Sequence, residues 1–312
     1  MKNITCTVTI LAALCCAHGQ TTDVPEWKAL VKVVDEVGRP IPGADVTIGY
    51  YVPAPPGKST ATSSVKGTTD TNGLFFASGR TASTDLFFGA GKEAHYRSHS
   101  GHEFANLKND DPAKWNPSVT LLLKKIAHPI PMYAKWIGHG PPALNEAVGF
   151  DLTAGDWVAP HGKGRIKDFI FTKRYSFKST TDYEGKVTVT FSNQGDGIQV
   201  YQPSTIGNTS TLRSPHEAPE SGYEPELTRE TSAHPGQPSK FEYKPDRIYL
   251  FRVRTVLDEK GKVKSALYGK IYGDFMQFRY YLDPTPNDHN IEFDPKQNML
   301  HGLKPTEQVS VP

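Results

Sequence analysis

VKVVDEVGRPIPGADVTIGY, Val31 to Tyr50, decides the fold, and TDTNGLFF, Thr69 to Phe76, answers it further along the chain. Val31, Val33 and Val34 are β-branched and open a strand, with Lys32 on its other face. Asp35 to Arg39 reverses the chain, and Gly38 supplies a position with φ > 0. Pro40 and Pro42 stiffen an extended stretch and donate no ladder hydrogen bond, so they belong at an edge or between strands. From Asp45 the alternation is clean: Val46, Ile48 and Tyr50 on one face, Thr47 and Gly49 on the other. In the second stretch Asp70 caps a turn, Asn72-Gly73 tolerates left-handed φ, and Leu74, Phe75 and Phe76 form the strand it launches. Strands joined by such turns predict a small β-sandwich.

The pattern V-x-D-E-x-G-x-P-I-P-G-A-x-V-x-I followed by T-D-x-N-G-x-F resembles the carboxypeptidase regulatory-like domain, over residues 25–126. The resemblance implies a transthyretin-like, seven-stranded sandwich of the carbohydrate-binding-like group. Glu93-Ala94-His95-Tyr96 stands where many relatives carry a Gly-Tyr segment, so no ligand is inherited through it. The segments KKIAHPIPMYAKW, GDWVAPHGKG and SALYGKIYGDF resemble a group of secreted bacterial proteins, from which no function carries over.

Met1 to Gly19 holds Lys2, an apolar run from Ile4 to Ala17, and Ala17-His18-Gly19 before Gln20. That is the layout of a signal peptide, and the run falls short of the ~20 apolar residues a membrane span needs. Export follows, to a periplasmic, cell-surface or extracellular place. Cys6, Cys15 and Cys16 all lie inside this segment, so the mature chain is expected to hold neither disulfide nor thiol nucleophile. Leu14 is bulky where lipidation at Cys15 or Cys16 wants a small residue. The 35 Lys and Arg against 33 Asp and Glu are well mixed and leave no nucleic-acid footprint.

Further along, Pro53 to Gly67 reads as a loop, Asp85 to Ala90 as a strand, Ser98 to Pro117 as irregular, and Val119 to Lys124 as the closing strand. Residues 127–145 are rich in Pro and Gly and predict a linker, with one helical turn at Leu144 to Ala147. A second antiparallel, sandwich-like β-domain over 146–303 follows from strand patterns at Phe169, Phe171 and Tyr175, and at Val187, Val189 and Phe191. Ile198 to Tyr201 adds a short strand, and Gln202 to Pro245 predicts a long excursion with little regular structure. Ile248 to Leu257 and Val263 to Tyr272 flank a Gly-bearing turn and form a hairpin. Phe275 to Leu282 is a strand aromatic on both faces, Ile291 to Phe293 a short one, and the tail 304–312 should fray. The fold class is all-β.

No assembled catalytic motif is present: no GxSxG, no HExxH, and Gly57-Lys58-Ser59 is the tail of a phosphate loop without its head. Trp136, Trp157 and His161 lie in Gly/Pro-rich stretches, where exposed aromatics stack on sugar rings; core packing is the competing role for Trp157. Asp283, Asp288 and His289, with Asp294, would offer hard oxygen ligands and an imidazole to a divalent ion, although turn capping uses the same residues. His95, His99 and His102 would share a face only on a helix, and their segment is not helical. Lys32 and Asn116 raise an internal Lys–Asn crosslink, against an ordinary outward lysine. The chain therefore reads as an exported, non-catalytic binding or scaffold protein with a glycan or an envelope protein as ligand and no cofactor. The alternatives are a metal-dependent hydrolase with its site at Asp283, Asp288 and His289, and a purely structural surface component.

Overall fold

The computed structural model describes residues 26–52, 59, 61–81, 83, 85–103, 115–241 and 247–312. Met1 to Gly19, with every cysteine, and Gly57-Lys58 lie outside the described residues. Among the described residues strands dominate, and helix is confined to short 3-10 turns such as Gly207–Thr209 and Pro305–Glu307. The chain is all-β.

The first unit holds β1 (Glu26–Val34), β2 (Asp45–Val52), β3 (Ala61–Thr68), β4 (Leu74–Arg80), β5 (Asp85–Gly91), β6 (Ser98–Glu103) and β7 (Ser118–Leu122). They form two facing sheets, β4-β1-β7 and β3-β2-β5-β6, all antiparallel except for the β1–β7 pair. Trp27, Val31 and Val33 from one sheet meet Val46, Ile48, Leu86 and Phe88 from the other, while Lys32 points out. The two opening stretches interlock. Asp35 Oδ1 accepts from the amides of Val37 and Arg39, and Asp70 Oδ1 from those of Asn72 and Leu74. Gly73 then sits at φ 70° with its carbonyl accepting from Val33 N at 2.8 Å. A Cβ there would fall 2.6 Å from the Val33 carbonyl, so the second motif docks on the first only with glycine.

The second unit is larger: β8 (Ile130–Ile137), β9 (Ala147–Asp151), β10 (Asp156–Trp157), β11 (Phe169–Ser179), β12 (Asp182–Thr190), β13 (Gly197–Tyr201), β14 (Glu226–Ala233), β15 (Lys240–Phe241), β16 (Ile248–Leu257), β17 (Val263–Asp274), β18 (Gln277–Leu282) and β19 (Phe293–Asn298). An outer sheet runs β10-β9-β11-β12-β14-β15 and a central sheet β13-β16-β17-β18-β8-β19. Between them Phe150, Phe169, Phe171 and Val189 pack against Tyr249, Phe251, Ile271 and Tyr280. The far face of the central sheet is buried as well: Met132, Ala134, Leu250, Tyr272 and Tyr281 are covered by Ala218, Ile291, Phe293 and Val309. That double burial explains the aromatics on both faces of β18.

Several expectations are corrected. The predicted linker contains β8, which pairs with β18 on one side and β19 on the other. Pro131, which can donate no ladder bond, sits where the β19 register shifts between Phe293 and Asn298, so its missing donor costs nothing. The loop expected over Pro53 to Gly67 gives way at Ala61 to β3, a Ser/Thr-rich edge strand paired along its whole length with β2. Part of the irregular stretch from Ser98 is β6, and Ala147 opens β9 with no helical turn before it. Within the long excursion lie β14 and β15. The tail does not fray: Val309 is buried, Glu307 pairs with Lys135 at 3.1 Å, and the Tyr281 hydroxyl donates to the Val311 carbonyl at 3.2 Å.

Residues 202–225 are irregular yet packed, because they seat the first unit on the central sheet. Thr209 Oγ1 meets Ser98 Oγ at 2.8 Å and accepts from Leu122 N at 3.0 Å, and Lys124 Nζ donates to the Ser214 carbonyl at 2.8 Å. Glu292, 1 % exposed, accepts from the Tyr96 hydroxyl and from the amides of Ala127 and His128. Burial pushes its carboxyl up, but those donors outweigh it and hold the group below its usual range.

Candidate functional site

The three residues expected to hold a ligand are not brought together. Trp157 lies in the core between the sheets, its ring 5.0 Å from that of Phe150 and 5.5 Å from that of Phe171. Trp136, on β8, belongs to the opposite side of the central sheet, with the Arg279 guanidinium 4.7 Å over its ring. His161 follows β10 in a turn, Nε2 3.6 Å from Glu146. Both tryptophans are partly buried and packed against other side chains of the chain.

The carboxylates near the C-terminus each serve their own turn. Asp283 Oδ1 accepts from Thr285 N, Asp288 Oδ1 from Asn290 N, and Asp294 Oδ1 from Lys296 N. His289 Nδ1 lies 2.7 Å from the Ala218 carbonyl and its ring 3.9 Å from that of Tyr268. Among the described residues no three His, Cys, Asp or Glu side chains stand close enough to hold a metal. Asp283 is fully buried with Oδ2 unpartnered, and burial, helped by Asp288, pushes its carboxyl up to about 6. His99 and His102 project to opposite faces of β6, and His95 Nδ1 is held by the Glu93 carbonyl. Lys32 and Asn116 are both exposed.

One polar cluster is assembled but sealed. Lys270 Nζ reaches Ser214 Oγ at 3.1 Å, and the Tyr272 hydroxyl reaches the same oxygen at 3.0 Å. Ser214 and Lys270 are fully buried, and burial drives the amine well below its ordinary range. A base beside a hydroxyl is the raw material of nucleophilic catalysis. No substrate reaches it here, and its place under the 202–225 segment makes it part of the packing.

The open site lies elsewhere, on β11, β12, β14 and β15. Odd-numbered residues of β11 share the inward face, where Phe169 and Phe171 are buried by the central sheet. The strand continues past that cover, and on the same face Tyr175 is 53 % and Phe177 57 % exposed. Register carries this uncovered row across the sheet: Tyr175 pairs with Gly185, Gly185 with Thr231, and Thr231 with Phe241, itself 64 % exposed. Strand spacing sets Tyr175 and Phe241 roughly 14 Å apart, with two small residues as the floor between them. A Cβ on Gly185 would lie 3.3 Å from Tyr175 Cδ2, so the ring leans over the glycine. Tyr175 and Phe177 are nearly parallel, centroids 6.3 Å apart.

The inner end of this trough is closed by Leu144 and Met276 and is charged. The next row inward is Lys173, Val187 and Arg229. Arg229 Nε donates to the Tyr249 hydroxyl at 2.8 Å. Asp274, 5 % exposed, faces Arg229 and Arg247; burial pushes its carboxyl up and the two guanidinium groups partly offset this. The cleft encloses about 450 Å³ with a largely apolar lining, within the range of small-ligand pockets. Glu230 at the rim is held by Lys240 at 2.6 Å and Lys186 at 3.5 Å.

The sequence pattern places Tyr175 in the strand of Phe169 and Phe171 and does not mark where the face leaves the core. The signal was the length of the alternation: Phe169, Phe171, Tyr175 and Phe177 keep one parity across eleven residues, about twice an ordinary strand. A glycine opposite Tyr175 and a threonine beyond it leave no side chain of matching bulk.

Comparison with protein-family models finds no match, and comparison with curated proteins finds none either. Among solved structures, a mutant of the shaft pilin SpaA from Lactobacillus rhamnosus GG aligns at 15 % identity over 56 % of this chain and 90 % of its own, with a TM-score of 0.24. A Bacteroides fragilis protein of unknown function aligns at 10 % identity over 84 % of this chain and 98 % of its own, with a TM-score of 0.20. Similarity at this level carries no functional conclusion.

Proposed function

We propose that the chain is an exported, non-catalytic binding protein whose ligand site is the trough between Tyr175 and Phe241. Export rests on the N-terminal signal-like segment, and the first sandwich, with its resemblance to carboxypeptidase regulatory-like domains, serves as the mount. One observation carries the proposal: the apolar face that forms the core at Phe169 and Phe171 continues into solvent at Tyr175 and Phe177. An uncovered core face marks a surface that binds something. The largely apolar lining favours a protein or another partner that presents an apolar group, over a glycan dense in hydroxyls. Trp136 and Trp157, the aromatics expected to stack on sugar, are occupied internally.

The test is titration of the mature protein with the neutral, apolar fluorophore Nile red. Saturable binding at one site, lost in a Tyr175→Ala/Phe241→Ala double variant that unfolds at the same denaturant concentration, is the expected result. Unchanged binding in that variant would place the site elsewhere. No saturable binding at all would remove the trough as a ligand site.

A further inference from the structure

The trough is not uniformly apolar, and its charged end is lopsided. Lys173 and Arg229 line the row next to the aromatic platform, and Arg247 faces the same carboxylate as Arg229. Against these three cations stands one carboxylate, Asp274. Glu230, the other acid on the cleft, is already shared between Lys186 and Lys240. The Lys173 ammonium makes no hydrogen bond or ion pair among the described residues, and Arg247 Nη1 is buried without a hydrogen-bond partner. Positive charge at the closed end of an apolar cleft is stabilised by an anion brought in on an apolar body. The partly desolvated setting strengthens such a pair beyond what it is worth in water.

Taking the trough as the ligand site, the geometry points to an amphipathic carboxylate as the chemical class bound there: an acyl or aryl body lying on Tyr175, Phe177 and Phe241, its single carboxylate directed to Lys173 and Arg229. The body replaces water over rings that are more than half exposed, which supplies the hydrophobic part of the affinity. The head answers the unbalanced cations, and Asp274 behind Arg229 opposes a second negative charge and so favours a monoanion. Thr231, on the floor between the aromatic walls, leaves room for a chain or ring but no wide cavity. An apolar molecule without a head would leave the cations unanswered, and a cationic amphiphile would be repelled.

The experiment is isothermal titration of the mature protein with decanoate, decan-1-ol and decyltrimethylammonium, in the parent and in a Lys173→Met variant. Methionine keeps the length and apolar stem of lysine and removes its charge. Expected are decanoate binding at least tenfold tighter than decanol, no measurable decyltrimethylammonium binding, and decanoate falling to the decanol level in Lys173→Met while decanol stays unchanged. Equal affinity for decanoate and decanol would overturn the carboxylate assignment and leave the apolar site standing. Failure of every decyl probe, together with failure of the fluorophore, would overturn the site itself.

Discussion

β11 carries the same pattern to two different fates. At its first end Phe169 and Phe171 are fully buried against Phe251, Phe275 and Phe278, ring to ring at 5.0 to 6.0 Å. At its far end Tyr175 and Phe177 stand on the same face with more than half their surface in water. Chemistry and parity are alike; only the reach of the central sheet differs. The comparison teaches that an alternating strand specifies which face is apolar and leaves open what covers it. Where no other described residue does, an apolar face is left in solvent.

The largest expected difference between the two ends is in stability. Phe171→Ala removes a ring from the covered end and should lower the unfolding free energy by about 3–5 kcal/mol, read from urea denaturation. A loss under about 1 kcal/mol would mean that the two ends are equally uncovered.

The covered end is also closed by charge. Arg254 holds φ 54° at a register shift of β16, and its guanidinium grips Asp168 through Nε at 2.8 Å and Nη2 at 2.9 Å. Asp168 is 2 % exposed, so Asp168→Asn leaves a half-covered guanidinium with only Asp151, 3.6 Å from Nη2, as counter-charge. About 2 kcal/mol should be lost, below the full figure for a deeply buried pair because Arg254 reaches solvent. Neutral stability in that variant would show that the strained turn holds by itself.

Asp283 behaves in the opposite sense. Its folded-state carboxyl is raised to about 6 from the usual 3.8. The native state therefore holds the proton more tightly than the unfolded chain. The stability it contributes is present below pH 3.8 and is lost as the pH rises through 6. Asp283→Asn keeps the acceptor for Thr285 N and removes the charge. It should raise stability at pH 8 by about 1–2 kcal/mol and leave it unchanged near pH 4. Destabilisation at pH 8 would indicate that the ionised Asp283 is paired with a cation.

The smallest effect belongs to the open end. Phe177→Ala should shift unfolding by no more than about 0.5 kcal/mol, while weakening decanoate binding. A loss on the scale of Phe171→Ala would erase the contrast between the two ends.

How much of this could be read beforehand follows from what local patterns record. The turns at Gly38 and Gly73, the strands of both valine-rich stretches and the 248–272 hairpin were visible because short-range chemistry determines them: an Asp cap, a positive-φ glycine, a period of two. β8 was hidden because Pro131 and the glycines around it imitate a linker, and its two neighbours lie far off in the sequence. The tail was hidden for the same reason, since Val309 is ordered by the far side of a sheet built from distant strands. The aromatic trough was half visible. Its residues were in plain alternation, but whether an opposing layer extends over them is a tertiary fact. For Trp136 and Trp157 the sequence left open whether the rings stack on a ligand or pack in the chain, and their packing against Arg279, Phe150 and Phe171 is a tertiary fact.

The placement of β8 also sets an order of events. It is made early, yet its pairing partner β18 comes roughly 140 residues later, a separation that makes contact formation slow. The first sandwich needs nothing from the rest of its sheet partners and can close first. β8 must wait as an unpaired segment, with Ile130, Met132 and Ala134 destined for one buried face and Ile137 for the other. A chain that stops short of Phe278 leaves that segment without a neighbour and exposed to association with other copies. The central sheet is therefore completed only when β18 and β19 have been made.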